Sequence, residues 1–421
     1  MPGNDVEVVV VGGGSAGIAA GRRLRDAAID CLVVEARDRL GGRAWTVTDP
    51  SGYAIDLGCG WLHSADRNPW AAVAQEQGAS VDKSRPPWMS PSPEIGFPRA
   101  QQNDFQKAMA AFFARLEKAG ESASDVPASA YLDPASPWNG LITAIGTYIS
   151  GAEFDRVSAK DLQRYEEADS GVNWRVVEGL GSVISAYGAN LPLVLDCPVS
   201  AIDHRGKRLR IETAKGVISA DQVIVTIPTP LIAAERIAFT PALRQKTEAA
   251  LGLPLGLADK LFMSLDHAEE FANGTRIFGR TDRAATGAYQ FRPLGRPMIE
   301  AYFGGACAAQ LEAHGDGAFF DFAVSELTGL FGGDFARRLK PVRIHHWGED
   351  PFALGSYSFA LPGCADFRRT LAAAVDDRLF FAGEACSIGD YSTAHGGFLT
   401  GVAAADAVIA VRKKALNLAS T

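Results

Sequence analysis

The chain has 421 residues, 47% hydrophobic and 21% charged, with a net charge of −8 at pH 7. That length exceeds what one hydrophobic core usually serves, and the composition excludes a disordered, collagen-like or coiled-coil chain. No basic block is longer than Arg412, Lys413 and Lys414, which argues against nucleic acid as a partner.

In chain order, the N-terminus lacks a basic segment followed by an apolar stretch, so no export signal is expected. An apolar β-branched run, Val6 to Val11, meets a glycine turn, then a helical stretch from Ser15 to Ala27 and a second apolar run, Cys31 to Val34. Continuous apolarity suits parallel strands buried on both faces, as in a βαβ unit. Five prolines between Pro86 and Pro98 mark a loop-rich departure into a second domain, followed by a helix over Phe105 to Lys118. Strand-like runs return at Leu193 to Ile202, Arg208 to Thr213 and Gln222 to Ile227. A strand near Lys260 to Leu265 and a helix near Phe319 to Leu330 are placed in the second domain. A strand at Leu379 to Ala382 and an alanine-rich helix from Phe398 to Val411 close the first. With no run of 18 apolar residues, that helix is expected to be buried rather than to anchor the chain in a membrane. The six cysteines, at 31, 59, 197, 307, 364 and 386, form no CxxC pair and no metal-ligand spacing. Neither a metal nor disulfides are expected, and the cytoplasm is the expected compartment.

Gly12, Gly14 and Gly17 form GxGxxG between the first strand and a helix opened by Ser15 and Ala16. This arrangement lets backbone approach a pyrophosphate at a helix N-terminus. Glu35 ends the second apolar run, where an acid accepts hydrogen bonds from ribose hydroxyls. A dinucleotide site of this kind holds NAD or FAD. The continuation through Ala36, Arg37, Gly42 and Arg43 resembles the glycine–arginine motif of FAD oxidoreductases. Leu379 to Ala385 (LFFAGEA) resembles their second FAD signature, with Gly383 and Glu384 at the ribityl-pyrophosphate region.

Further stretches appear in family order: Asp56 to Trp70, Trp174 to Ile202, Asp221 to Pro228, Trp347 to Gly363 and Phe381 to Gly401. With them the chain resembles the flavin-containing amine oxidases, nearest the polyamine (spermine and acetylpolyamine) oxidase branch and more distantly the monoamine oxidases. Residues 83–163 carry no matching stretch. The resemblance implies a Rossmann-like α/β FAD-binding domain over 1–83, 192–247 and 365–421, interleaved with an α+β substrate-binding domain over 84–191 and 248–364. It also implies that Gly60, Trp61, Val199, Thr393 and Ala394 join the cofactor site.

An amine is oxidised when hydride leaves the carbon beside an uncharged nitrogen for flavin N5, and a desolvating pocket favours the uncharged form. The leading catalytic residue is Lys260, which shares a strand face with Phe262 and Ser264. It resembles the family lysine that holds a water near flavin N5. By the same resemblance His63 lines the substrate channel, Tyr357 and Phe398 flank the amine, Trp347 closes that wall, and His395 is structural. Ser356 stands where monoamine oxidases attach FAD to a cysteine, so FAD is expected to be non-covalent. The N-terminus of the final helix is expected to face the reduced flavin, whose negative charge it would stabilise.

The expected partners are a small amine and O2, reduced to hydrogen peroxide, with the protein a monomer or homodimer. Glu166, Glu167 and Asp169 are candidates to draw in a distal ammonium, although such a charge run more often forms a solvated face. Glu178 has no readable direction. Three alternatives stay open. They are an L-amino-acid oxidase using Arg280, Arg283 or Arg292, an FAD-dependent desaturase or porphyrinogen-oxidase type, and a flavin-loaded binding or scaffold protein.

Overall fold

Val8 and Val10 point into one core and Val9 and Val11 into another, and all four are buried. The first strand, Asp5–Val11, is therefore apolar throughout because helices or further strands cover both sides of its sheet. The structure is a computed structural model that describes residues 5–419. Asp5–Val11 pairs in parallel with Cys31–Val34 on one side and Gly216–Val225 on the other. The eight-stranded sheet continues outward to Leu193–Val194 at one edge and through Leu209–Thr213 and Val199–Asp203 to Ala238–Thr240 at the other. Leu379–Phe381 pairs with Gly216–Val225, so the two ends of the chain share one sheet. The strand expected at Gln222 to Ile227 starts earlier, at Gly216, where it forms an antiparallel hairpin with Leu209–Thr213.

The helix Ser15–Asp26 and the final helix Ala394–Ala419 pack closely on one face of this sheet. A Cβ on Gly401 would lie 2.1 Å from the Ala16 carbonyl oxygen, so glycine is what permits the close approach. Over Ala394–Ala415 the final helix is long and apolar enough to cross a membrane by length and composition. Here its Ala404, Ala405, Val408 and Ile409 lie in the core with Ile18 and Leu24.

A second, antiparallel sheet has the order Thr275–Phe278, Ala288–Phe291, Met298–Gly304, Ala258–Leu265, Leu339–Arg343. Alternation divides its faces. Leu261, Met263, Tyr289, Ile299 and Phe303 pack beneath the helix Asp316–Phe331. The opposite face turns towards a layer of helices that includes Arg99–Leu116 and Asn139–Ser150. The packing divides the chain somewhat differently from the expected boundaries at 191 and 248. Leu180, Val183 and Ile184 share the core of the first helix, and Ala249 and Ala250 share the core on the other side of the eight-stranded sheet. The two halves are also tied together by Arg368, fully buried, which forms a two-pronged ion pair with Asp161 at 2.7 Å.

Candidate active site

One continuous cavity of about 1310 Å³ runs from the glycine turn to the antiparallel sheet. That exceeds the 300–1,000 Å³ or so of an ordinary small-molecule pocket and leaves room for a dinucleotide plus a substrate. Its first part is built mostly of backbone. Gly12 has φ +108°, and a Cβ there would lie 2.5 Å from Thr226 Oγ1. Gly14, Ser15 and Ala16 line the cavity at the first helix's N-terminus. Gly17 does not line it. A Cβ on Gly17 would sit 1.8 Å from the Gly12 carbonyl oxygen, so its role is to let the helix seat on the turn.

Glu35 is buried, and its carboxylate accepts from Gly13 N–H at 2.6 Å and Arg37 N–H at 2.8 Å. Each oxygen keeps further acceptor capacity for ribose hydroxyls on the cavity wall. Ala36, Arg37, Gly42, Arg43, Gly60, Trp61, Val199, Gly383, Glu384, Thr393 and Ala394 line the same cavity. Arg37 is paired with Asp350 at 2.7 Å. Arg43 pairs with Glu384 at 2.9 Å, joining the first and last motifs. Glu384 also accepts from Ser358 Oγ at 2.6 Å and Ser392 N–H at 2.9 Å. Burial raises its acidity constant's pKa, but Arg43 and these donors outweigh burial and hold it below the usual carboxylate range. Thr393 caps the final helix by accepting from Gly396 N–H at 2.9 Å, and that N-terminus opens on the cavity. These are the donors, acid and helix ends that FAD requires.

The second part of the cavity lies on the antiparallel sheet. Lys260, Tyr302, Ala288 and Phe278 form one cross-strand row, and Glu300, Gln290 and Arg276 lie in the next. All seven line the cavity. Lys260 is 6% exposed, and its ammonium reaches the carbonyl oxygens of Asp56 (3.1 Å) and Gly58 (2.6 Å) and the Glu300 carboxylate (3.4 Å). Its three N–H donors therefore all have protein acceptors. The water-holding role implied by resemblance would need one of them released; as placed, Lys260 holds Asp56–Gly60 and presents a fixed charge. Burial pushes Glu300 up, but Arg175, at 2.9 Å, and Lys260 bring it below the ordinary value. The Asp56 carboxylate accepts from Leu180 N–H at 3.1 Å, fixing this segment to a helix start.

His63 Nδ1 is 2.5 Å from Asn173 Oδ1. Asn173 Nδ2 donates to the Gly171 carbonyl at 3.0 Å, which orients the amide so that His63 Nδ1 is the donor. Burial lowers the His63 pKa, so the ring is neutral and Nε2 is left as an acceptor. His395 is buried against Asp390 and Asn68, in keeping with a structural role. Trp347 is buried at the wall and donates from Nε1 to the Leu57 carbonyl at 3.1 Å.

Tyr357 lines the chamber, but Phe398 does not. Phe398 packs edge-on against Trp70, with ring centroids 5.1 Å apart, inside the core of the final helix. The aromatic partner of Tyr357 is Tyr302, with hydroxyls 3.2 Å apart, and Tyr357 donates onward to the Tyr148 carbonyl. Tyr302 and Tyr148 were not legible in the sequence because only the strand register and the helix packing bring them here.

Glu166 and Asp169 line the chamber, whereas Glu167 is exposed outside it. Burial, then the neighbouring Asp169 charge, pushes Glu166 up to about 7. Glu178 turns away to cap Ser80 N–H at 2.9 Å. None of the three candidate arginines reaches the chamber. Arg280 and Arg283 pair with exposed Asp282, and Arg292 donates to the Phe271 carbonyl. Ser356 is buried, its hydroxyl bridging the N–H and carbonyl of Ala258.

A nucleotide cradle opening into an aromatic, charged chamber defines an FAD-dependent oxidoreductase. The sequence profile of the flavin containing amine oxidoreductase family matches residues 15–129 and 106–409, and the chain belongs to that family. It is 28% identical over 443 residues to polyamine oxidase 3 of Oryza sativa subsp. japonica, covering 94% of this chain and 88% of that protein. It is also 28% identical to polyamine oxidase 2 of Arabidopsis thaliana, covering 95% and 87%. Lysine-specific histone demethylase 2 of Homo sapiens is 24% identical across 96% of this chain and 53% of its own length. A solved structure of a putrescine oxidase double mutant with redesigned cofactor binding shares the fold, with a TM-score of 0.76 at 18% identity, covering 96% and 99% of the two chains. The chain is thus an amine-oxidising enzyme with FAD as cofactor, and its similarity lies with the polyamine branch. With serine at 356, FAD is held non-covalently.

Proposed function

We propose that the enzyme oxidises a polyamine or another primary or secondary amine to an imine, which water hydrolyses to an aldehyde, and that O2 is reduced to hydrogen peroxide. Bound FAD supplies the two-electron acceptor. The observation that carries this reading is the buried Lys260 ammonium, anchored beside Gly58 and Gly60 at the junction of cradle and chamber. A fixed cation there stabilises negative charge developing as oxygen is reduced. Tyr302 and Tyr357 spend their hydroxyls on each other and on a carbonyl, leaving ring faces to receive a partly positive nitrogen. Neutral His63 offers Nε2 to an amine N–H, and the apolar walls favour the uncharged nitrogen that oxidation needs. Six free thiols support the expected cytoplasmic setting.

The decisive experiment is anaerobic mixing of the FAD-loaded protein with an amine panel, then re-admission of oxygen. Bleaching by amines and peroxide on reoxidation are expected. Lys260→Met should slow reoxidation by roughly 10²-fold, while Lys260→Arg retains much of it. Equal reoxidation in all three proteins would remove Lys260 from the mechanism, and an absence of bleaching with every amine would favour a flavin-loaded binding protein.

A further inference from the structure

Of the four arginines that line this cavity, Arg37 pairs with Asp350, Arg43 pairs with Glu384, and Arg236 is exposed to solvent. Arg276, in the chamber wall, has no carboxylate partner among the described residues. Its contact is with its own strand, the guanidinium carbon lying 4.6 Å from the Phe278 ring centroid. Gln290, directly opposite Arg276 on the next strand, also lines the chamber and makes no side-chain hydrogen bond among the described residues. A guanidinium and a carboxamide from paired strand positions are therefore both without acceptors among the described residues. Burial lowers the Arg276 pKa to about 10, opposed only by the Tyr148 phenol, so the charge persists at neutral pH without a compensating anion.

The sheet sets the scale. Because the guanidinium leans on Phe278, it lies in the row that ends at Lys260 three strands away. Three strand spacings make that separation roughly 14 Å. An α-amino acid, with its carboxylate on the carbon being oxidised, cannot bridge it. An ammonium at this end of a long polyamine would meet like charge. Guanidinium geometry suits a carboxylate, which it binds through two parallel N–H donors.

Resting on the amine-oxidase reading, we propose that Arg276, assisted by Gln290, is the anion-binding end of the chamber. The preferred substrates are then elongated amines that carry a terminal carboxylate, with the amine at the Lys260 end. The reaction is unchanged in its balance. Hydride leaves the carbon beside nitrogen for FAD, a proton leaves nitrogen, and two electrons pass on to oxygen. Water then replaces the nitrogen to leave an aldehyde at one end and the untouched carboxylate at the other.

The test uses hexylamine, hexamethylenediamine and aminocaproate as matched substrates, and caproate as a ligand that cannot be oxidised, its binding read from the flavin absorbance. Aminocaproate should exceed hexamethylenediamine in kcat/KM. Arg276→Gln should lower that ratio roughly ten- to a hundredfold, mainly through KM, and weaken caproate to a similar degree. Arg276→Lys should restore part of both. An unchanged substrate ratio, or equal caproate binding by the natural chain and Arg276→Gln, overturns the proposal. If no amine bleaches the flavin yet caproate binding still depends on Arg276, the anion site stands and the amine-oxidase reading fails.

Discussion

The two ends of the cavity solve different problems with different materials. The cofactor end is built of backbone N–H groups, glycines without side chains and acids held in place by hydrogen bonds from the protein, such as Glu35 and Glu384. Gly12 and Gly17 are required there by close approaches that nothing larger fits, to Thr226 Oγ1 and to the Gly12 carbonyl oxygen. The substrate end is instead walled by side chains from distant segments: Tyr302, Tyr357, Glu300, Glu166 and Arg276. The glycine turn of the first end is local, since a strand, a turn and a helix N-terminus suffice to build it, and Val199, Glu384 and Thr393 complete the cradle from further along the chain. The second depends on register between strands, and a single exchange there alters which amine fits without disturbing the cradle. An enzyme family can therefore hold one cofactor while varying its substrates.

That contrast can be broken most forcefully at the cradle. Gly17→Val would drive a Cβ to 1.8 Å from the Gly12 carbonyl, and the expected result is a loss of more than about 3 kcal/mol of stability and protein that purifies without flavin absorbance. A yellow, normally stable variant would show that the turn tolerates a larger residue. At the substrate end the effects should be smaller and fall on turnover. Tyr302→Leu should raise KM for the best amine by up to about 2 kcal/mol of lost binding, whereas Phe398→Leu should cost stability of the order of 1 kcal/mol with little change in KM. The reverse result, read from steady-state kinetics and thermal melts together, would return Phe398 to the chamber.

The smallest effect expected is electrostatic. The pKa of Glu166 is raised to about 7 in the folded chain, so its stabilising contribution is complete below about pH 4.5, the ordinary value, and is lost as pH rises through 7. Glu166→Gln has no such loss. Its stability, followed by thermal melts, should gain on the natural chain between pH 5 and pH 8 by on the order of 1 kcal/mol, because Glu166 retains some contact with solvent. A gap that does not change with pH would mean that Glu166 titrates as an ordinary surface acid.

Much of the cradle was readable from residues alone. The run Val6 to Val11, the GxGxxG turn, Glu35 and the Leu379 to Ala385 signature are short stretches whose chemistry is local, and the cavity collects nearly all their predicted residues. Phe398 misled because a motif position gives no side-chain direction; one turn into a helix, its ring points into the core against Trp70. The acidic run was ambiguous for a related reason: Glu166 and Glu167 are neighbours, yet helix geometry turns one inward and the other out.

The amino-acid sequence by itself determined the dinucleotide-binding turn, the absence of a thiol at Ser356 and the placement of Lys260 on a two-faced strand, because each follows from spacing within a few residues, while the choice of FAD over NAD came from resemblance to the motifs of FAD oxidoreductases. Only the tertiary structure decided that Glu300 and two carbonyls occupy the Lys260 donors, that Tyr302 rather than Phe398 faces Tyr357, and that Arg276 enters the chamber without a counter-charge. Those outcomes depend on antiparallel register and on helices crossing the sheet, and pairings between residues far apart in the chain leave no local trace of which partner each will meet.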